Sequence, residues 1–269
     1  MLTNKTAVIY GATGSLGSAV AKAMAAAGAK VFVTGRNENK LKDLVHEILS
    51  NKGSAQYAIV DAMNESAVAD HLESILETGN TVDVSFNATG SEVVQNIPLT
   101  EISVEDFMHP VSFMAKTQFI TQTAAARVMS KQGSGVILSL TATPGGIGYP
   151  YTAGFAIACT ALETLSKNLA GEIGQYGVRA VNIRSGGSPD SAVFKAAREQ
   201  VPEIIEPILK QMKNDTMLKD LPLMADIANV AVFLASDLAA KITGVTIDVT
   251  AGTTSGLNYR APGARTIDK

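Results

Sequence analysis

Gly11, Gly14 and Gly17 stand three residues apart, after the apolar run Ala7 to Tyr10 and ahead of an alanine-rich stretch. That spacing suits phosphate binding. A pyrophosphate must come within hydrogen-bond reach of backbone N–H groups at a helix N-terminus, where aligned peptide dipoles favour negative charge. A Cβ on the wrong turn residue would block it. Gly17 lets the helix sit close to the sheet, and Ala19, Ala21, Ala23 and Ala25 keep its packing faces small. The turn Gly11-Ala12-Thr13-Gly14-Ser15-Leu16-Gly17 therefore predicts a dinucleotide site. The next apolar run ends Val33-Thr34-Gly35-Arg36, beside the expected adenosine ribose. A carboxylate there would bind the ribose 2′-hydroxyl; Gly35 supplies none, and Arg36 offers a planar fork suited to a 2′-phosphate. The expected cofactor is NADP(H). His46, His71 and His109 fall on separate predicted helices with no metal-ligand spacing, so no metal is expected.

These residues need a frame. Apolar, β-branched runs at 7–10, 31–34, 58–60, 82–86, 136–140, 178–183 and 245–249 read as strands. Helical patterns at 16–27, 38–49, 65–77, 104–129, 154–175 and 225–236 alternate with them. This alternation calls for a seven-stranded parallel sheet covered by helices on both faces, in a single α/β domain over 1–256. The segment 188–222, with Pro189, Pro202, Pro207 and two short helical patterns, breaks the rhythm. It reads equally as a substrate lid or as a surface elaboration. Residues 257–269 read as a C-terminal tail.

The chain has 269 residues with 22 Lys+Arg against 25 Asp+Glu, a net charge of −3, which leaves no cationic surface for nucleic acid or anionic lipid. The uncharged stretches 6–21 and 132–162 are interrupted by glycines and, in the second, by Pro144 and Pro150, which argues against a signal peptide or a membrane span. The single Cys159 cannot form an intrachain disulfide, as expected of a cytoplasmic protein.

Over roughly residues 5 to 252 the chain resembles the short-chain dehydrogenase/reductase family. The glycine-rich turn resembles the family's, with Ser15 where the commonest pattern has its middle glycine. Asp61-Ala62 resembles the pair that meets the adenine ring, and Phe86-Asn87-Ala88-Thr89-Gly90 resembles the family's Asn-Asn-Ala-Gly. Ala225-Asp226-Ile227-Ala228-Asn229 and Phe233-Leu234-Ala235-Ser236-Asp237 are similar to its late helix. The resemblance implies a Rossmann-like doubly wound fold, nicotinamide-dependent redox chemistry on a small molecule, and a homotetramer or homodimer built partly from the fourth and fifth helices.

The same resemblance implies a catalytic Tyr, a Lys four residues later, and an assisting Ser and Asn. Aligning Leu169-Ala170-Gly171-Glu172 with the end of the family's active-site helix assigns these positions to Phe155, Cys159, Ala142 and Met114. None has the required functional group. Tyr151, four residues before Phe155, and Thr141, next to Ala142, are the candidate replacements; the alternatives are that Tyr151 stacks on loop backbone and Thr141 caps a strand end. A reactive Cys159 would need a nearby cation or base, and none is readable. Two functions follow: an NADP(H)-dependent oxidoreductase of altered mechanism, reducing an activated carbonyl or conjugated C=C with a proton from Tyr151 or water, and a catalytically silent NADP(H)-binding protein.

Overall fold

In the computed structural model, which describes residues 1–256, seven strands form one parallel sheet in the order β3-β2-β1-β4-β5-β6-β7. The strands are β1 (Thr6–Tyr10), β2 (Lys30–Gly35), β3 (Ser54–Ile59), β4 (Val84–Asn87), β5 (Gly135–Ala142), β6 (Val178–Ser185) and β7 (Thr246–Val249). Their crossovers carry α1 (Ser15–Ala26), α2 (Glu38–Ser50), α3 (Glu65–Glu77), α4 (Val104–Gln132), α5 (Ala153–Ile173) and, before β7, α8 (Met224–Ala235). Alternate strand residues serve opposite faces. Ala7, Ile9, Val31 and Val33 pack under α1, α2 and α8, whereas Val8, Tyr10 and Phe32 pack under α3, α4 and α5. Every residue of β1 is buried, as a central parallel strand requires.

The expected doubly wound α/β architecture is thus present as a single domain. One strand differs in extent. The sequence places the third strand at 58–60, but β3 begins at Ser54 and pairs with β2 from Lys30↔Ser54 to Gly35↔Ile59. It is an edge strand in which only Ala55 is buried, so its first half carries no apolar run for periodicity to detect. The segment between β6 and α8 forms α6 (Ala192–Gln200) and α7 (Pro202–Asp215), matching the two short helical patterns. The expected tail at 257–269 lies outside the described residues. No helix among the described residues is long and apolar enough to cross a membrane, and none of their His, Cys, Asp and Glu side chains cluster as a metal site would.

The order reverses between β1 and β4: the chain leaves β1 towards β2 and leaves β4 towards β5. The crevice beyond the carboxyl ends of those strands is where an open parallel sheet binds its ligands.

Candidate active site

Two adjoining cavities occupy that crevice. The first, of about 200 Å³, is lined by Gly11, Thr13 and Gly14 from the β1–α1 turn, by Gly35 and Arg36 after β2, and by Asp61 and Ala62 after β3. Ala88, Thr89 and Gly90 after β4 complete it and pass into the second cavity.

The turn explains its own glycines. Gly11 adopts φ +68°, and a Cβ there would lie 2.7 Å from the Thr89 amide nitrogen, so the loop after β4 can approach only a glycine. A Cβ on Gly17 would strike the Gly11 carbonyl, so this residue seats the helix against the turn without reaching the cavity. Gly14 is different. Its Cβ would meet only the Gly11 carbonyl oxygen, at 3.4 Å, so its outer side is open to a ligand. Whereas Asn37, Asn64, Ser103 and Ser191 cap α2, α3, α4 and α6, the first turn of α1 has no side-chain cap and no acidic residue. Its first amides and the positive end of its dipole therefore face the cavity uncompensated. Arg36 is exposed at the cavity edge, and no carboxylate of the described residues pairs with it.

Other expected cofactor residues are placed differently. Ser15 and Leu16 line the second cavity, and the Ser15 hydroxyl accepts a hydrogen bond from the Ala192 amide at 3.0 Å, joining the phosphate turn to α6. The Asn87 amide is buried and committed: it donates to Thr121 Oγ1 at 2.8 Å and to the Thr117 carbonyl, and accepts from Thr89 at 2.8 and 2.7 Å. It shapes the loop that walls both cavities. Phe113, Thr117 and Val60 also line the first cavity, and no motif marked them.

The second cavity, of about 460 Å³, is bounded by Met114, Ala142 and Phe155, by the end of β6, and by α6 and Met224. Met114 and Cys159, with Ala158 and Leu162, form an apolar cluster against which Ala142 and Phe155 pack. The four positions assigned from the family's catalytic helix therefore do converge. Cys159 is wholly buried, and burial, aided by the charge of Glu163, pushes its thiol up to about 11. It is an unreactive core residue.

Neither expected replacement acid is free in the cavity. Tyr151 is 55 % exposed and absent from the cavity wall; its φ of 62° turns it off the start of α5, and its carbonyl accepts from the Asn96 amide at 2.9 Å. The expectation that Tyr151 stands in for the missing acid is corrected by this arrangement, in which its side chain is off the cavity wall. Thr141 does reach the wall, yet its hydroxyl donates to Glu163 Oε1 at 3.0 Å and accepts from Asn182 Nδ2 at 2.7 Å. Behind it Arg184 bridges Glu163 and Asp248, with Nε–Oε1 2.9 Å and Nη1–Oδ2 2.6 Å. The hydrogen bonds to Glu163 hold the guanidinium above its ordinary range. Thr141 is thus part of a structural polar network spanning β5, β6, β7 and α5. Tyr149, the other nearby phenol, lies behind the β6 loop with Met212 and Asp215, where burial and the Asp215 charge push its pKa up.

Comparison with known proteins agrees with this geometry. The enoyl-(acyl carrier protein) reductase family model matches residues 11–254. An uncharacterized oxidoreductase of Thermotoga maritima is 31 % identical over 251 residues, covering 93 % of this chain and 98 % of the relative. A 3-oxoacyl-(acyl-carrier-protein) reductase of Chlamydia trachomatis is 28 % identical over 258 residues, covering 94 % and 98 %. The structure of a short-chain type dehydrogenase/reductase from Mycobacterium ulcerans superimposes with a TM-score of 0.86 at 25 % identity, covering 95 % of this chain and 92 % of that one. The chain belongs to the short-chain dehydrogenase/reductase family and is an oxidoreductase of that type, with a nicotinamide-nucleotide site.

Proposed function

We propose that this protein is an NADP(H)-dependent oxidoreductase that reduces an activated carbonyl or conjugated C=C of a small molecule through an altered active site. The observation that carries the coenzyme choice is the juxtaposition of the uncapped α1 N-terminus with Arg36, a cation without a carboxylate partner among the described residues, at the end of a strand that brings no acid. Gly11, Thr13 and Gly14 would hold the pyrophosphate, Arg36 the 2′-phosphate, and Asp61 and Ala62 the adenine side. Bound there, the nicotinamide supplies a hydride.

This chain's own residues contribute shape and exclusion rather than acid catalysis. Phe155 and Met114 keep water from one wall, and the Thr141 hydroxyl is held by Glu163. With Tyr151 outside the cavity, solvent is the proton source that the geometry favours. Loss of a positioned general acid costs about 10²- to 10⁴-fold, which restricts the reading to acceptors whose developing charge is delocalised. The segment 188–222 acts as a lid in this reading, supported by Phe194 of α6 on the cavity wall.

The apolar cluster around Cys159 equally favours a second reading, a silent NADP(H)-binding protein. Following NADPH oxidation against a panel of enones and ketones separates the two. Turnover that survives Tyr151→Phe supports the first, and tight coenzyme binding without turnover on any acceptor supports the second. We also assign the protein to the cytoplasm, given its one free, buried thiol, and to a homodimer or homotetramer through α4 and α5. Val104, Met108 and Phe119 of α4 and Ile157 of α5 expose apolar surface that supports this assembly, which light scattering after size exclusion tests.

A further inference from the structure

We propose that the second cavity takes an uncharged, largely apolar ligand whose single acceptor oxygen is held by the Ser188 hydroxyl. The inference rests on the reading above only in treating this cavity as the acceptor compartment; it uses nothing about the coenzyme. Among the described residues the wall is dominated by Leu16, Val93, Met114, Phe155, Phe194 and Met224 and includes no charged side chain. A carboxylate or phosphate entering it would lose hydration with no cation to replace it, a cost that an uncharged ligand of the same size avoids.

The polar groups on the wall narrow the choice further. Asn87 and Thr89 are bonded to each other and to α4. Thr141 is bonded to Glu163 and Asn182, and Ser185 donates to the Thr141 carbonyl. Ser15 accepts from Ala192, Ser191 caps α6 at Phe194, and Ser91 donates to the Glu92 carbonyl. Ser188 alone among them is without a partner: the residue is 4 % exposed, and its buried Oγ bonds to no atom of the described residues. A buried hydroxyl left unpaired is disfavoured, and groups of this kind in native structures call for an explanation. Ser188 is among the residues that line the cavity, and turning its hydroxyl toward a ligand there would give up no hydrogen bond. A lone donor in an apolar wall suits a ketone, enone or other neutral molecule with one carbonyl or ether oxygen.

The test uses three probes of similar size: 1-tetralone, which is neutral with one carbonyl; tetralin, which has no oxygen; and 1-naphthoate, which is anionic. Their affinities are measured by calorimetry on the full chain, with and without saturating NADP⁺, for wild type, Ser188→Ala and Ser188→Thr, with NADPH titrated separately. We expect 1-tetralone to bind about 10-fold or more tighter than 1-naphthoate. Ser188→Ala should weaken 1-tetralone about 5-fold while leaving tetralin and NADPH unchanged, with Ser188→Thr restoring the loss. The ligand-free melting temperature of Ser188→Ala should be equal to or above that of wild type.

Equal affinity for the ketone and the anion, or no binding of any probe, overturns the assignment. So does a loss of NADPH affinity in Ser188→Ala, which would give the hydroxyl to the coenzyme, or a lowered melting temperature with all probes weakened alike, which would make it structural. If the probes discriminate as expected but NADPH does not bind, this inference stands and the coenzyme reading above falls.

Discussion

Iodoacetamide applied to the native protein at pH 8 should leave Cys159 almost unmodified. Burial raises this thiol from 9.0 to about 11, so its thiolate fraction at pH 8 falls from about one-tenth to about one-thousandth, a ratio of about 100. Access slows the reaction further. The residue is 0 % exposed in the cluster with Met114, Ala158 and Leu162, so the reagent must wait for a local opening. Mass spectrometry over time gives the rate, with glutathione as the free-thiol standard and the protein in urea as the accessible control. The native rate should be at least about 100-fold below the standard and should climb about tenfold per pH unit up to pH 10. Labelling within tenfold of glutathione, or a plateau below pH 9, would refute the reasoning. Either result would mean that the sulfur is more open or more acidic than its buried cluster allows.

Further outcomes follow from the same contacts. His71 is buried against Phe32 with Nδ1 unpartnered, and burial lowers its pKa from 6.5 to about 4. The unfolded chain therefore takes up a proton near pH 6.5 that the folded chain refuses until about pH 4. Stability should fall by up to about 3 kcal/mol across that window, and His71→Leu should remove this component in urea unfolding at pH 7.5, 5.5 and 4.5. The two glycines of the α1 turn should part company. Gly17→Val should lower the melting temperature, because its side chain meets the Gly11 backbone, whereas Gly14→Ala should keep the fold and lose coenzyme affinity about tenfold or more. Glu163→Gln leaves Arg184 with Asp248 as its only carboxylate among the described residues, in a site where the Arg184 and Glu163 side chains are each 14 % exposed, and should cost about 1–3 kcal/mol in chemical denaturation.

Much of the fold was legible because its signals are local. The β1 run, the glycine turn and the small-residue face of α1 are contiguous, and continuous apolar strands reveal a sheet covered on both faces. The shared face of Phe155 and Cys159 was also legible, because a helical register carries both to one side of α5, and the structure packs Ala142 and Met114 in the same cluster. The replacement acids were not. Tyr151 departs from the site where two residues, Tyr151 and Ala153, take positive φ at the start of α5, a backbone choice that spacing does not encode. Thr141 is withdrawn by Glu163 and Asn182, 22 and 41 residues away in sequence, through a network that exists only after β5, β6 and α5 have assembled. Ser188 carried no motif at all; it is distinguished by the absence of a partner, a property of the folded wall alone.

Titration calorimetry of NADPH and NADH against the wild-type protein and Arg36→Ala addresses the central claim most directly. Charge-assisted hydrogen bonds to the 2′-phosphate should make NADPH bind about 10- to 100-fold tighter than NADH, and Arg36→Ala should abolish that preference while leaving NADH within about threefold. Absence of binding by either coenzyme, or a wild-type protein that prefers NADH, would contradict the account.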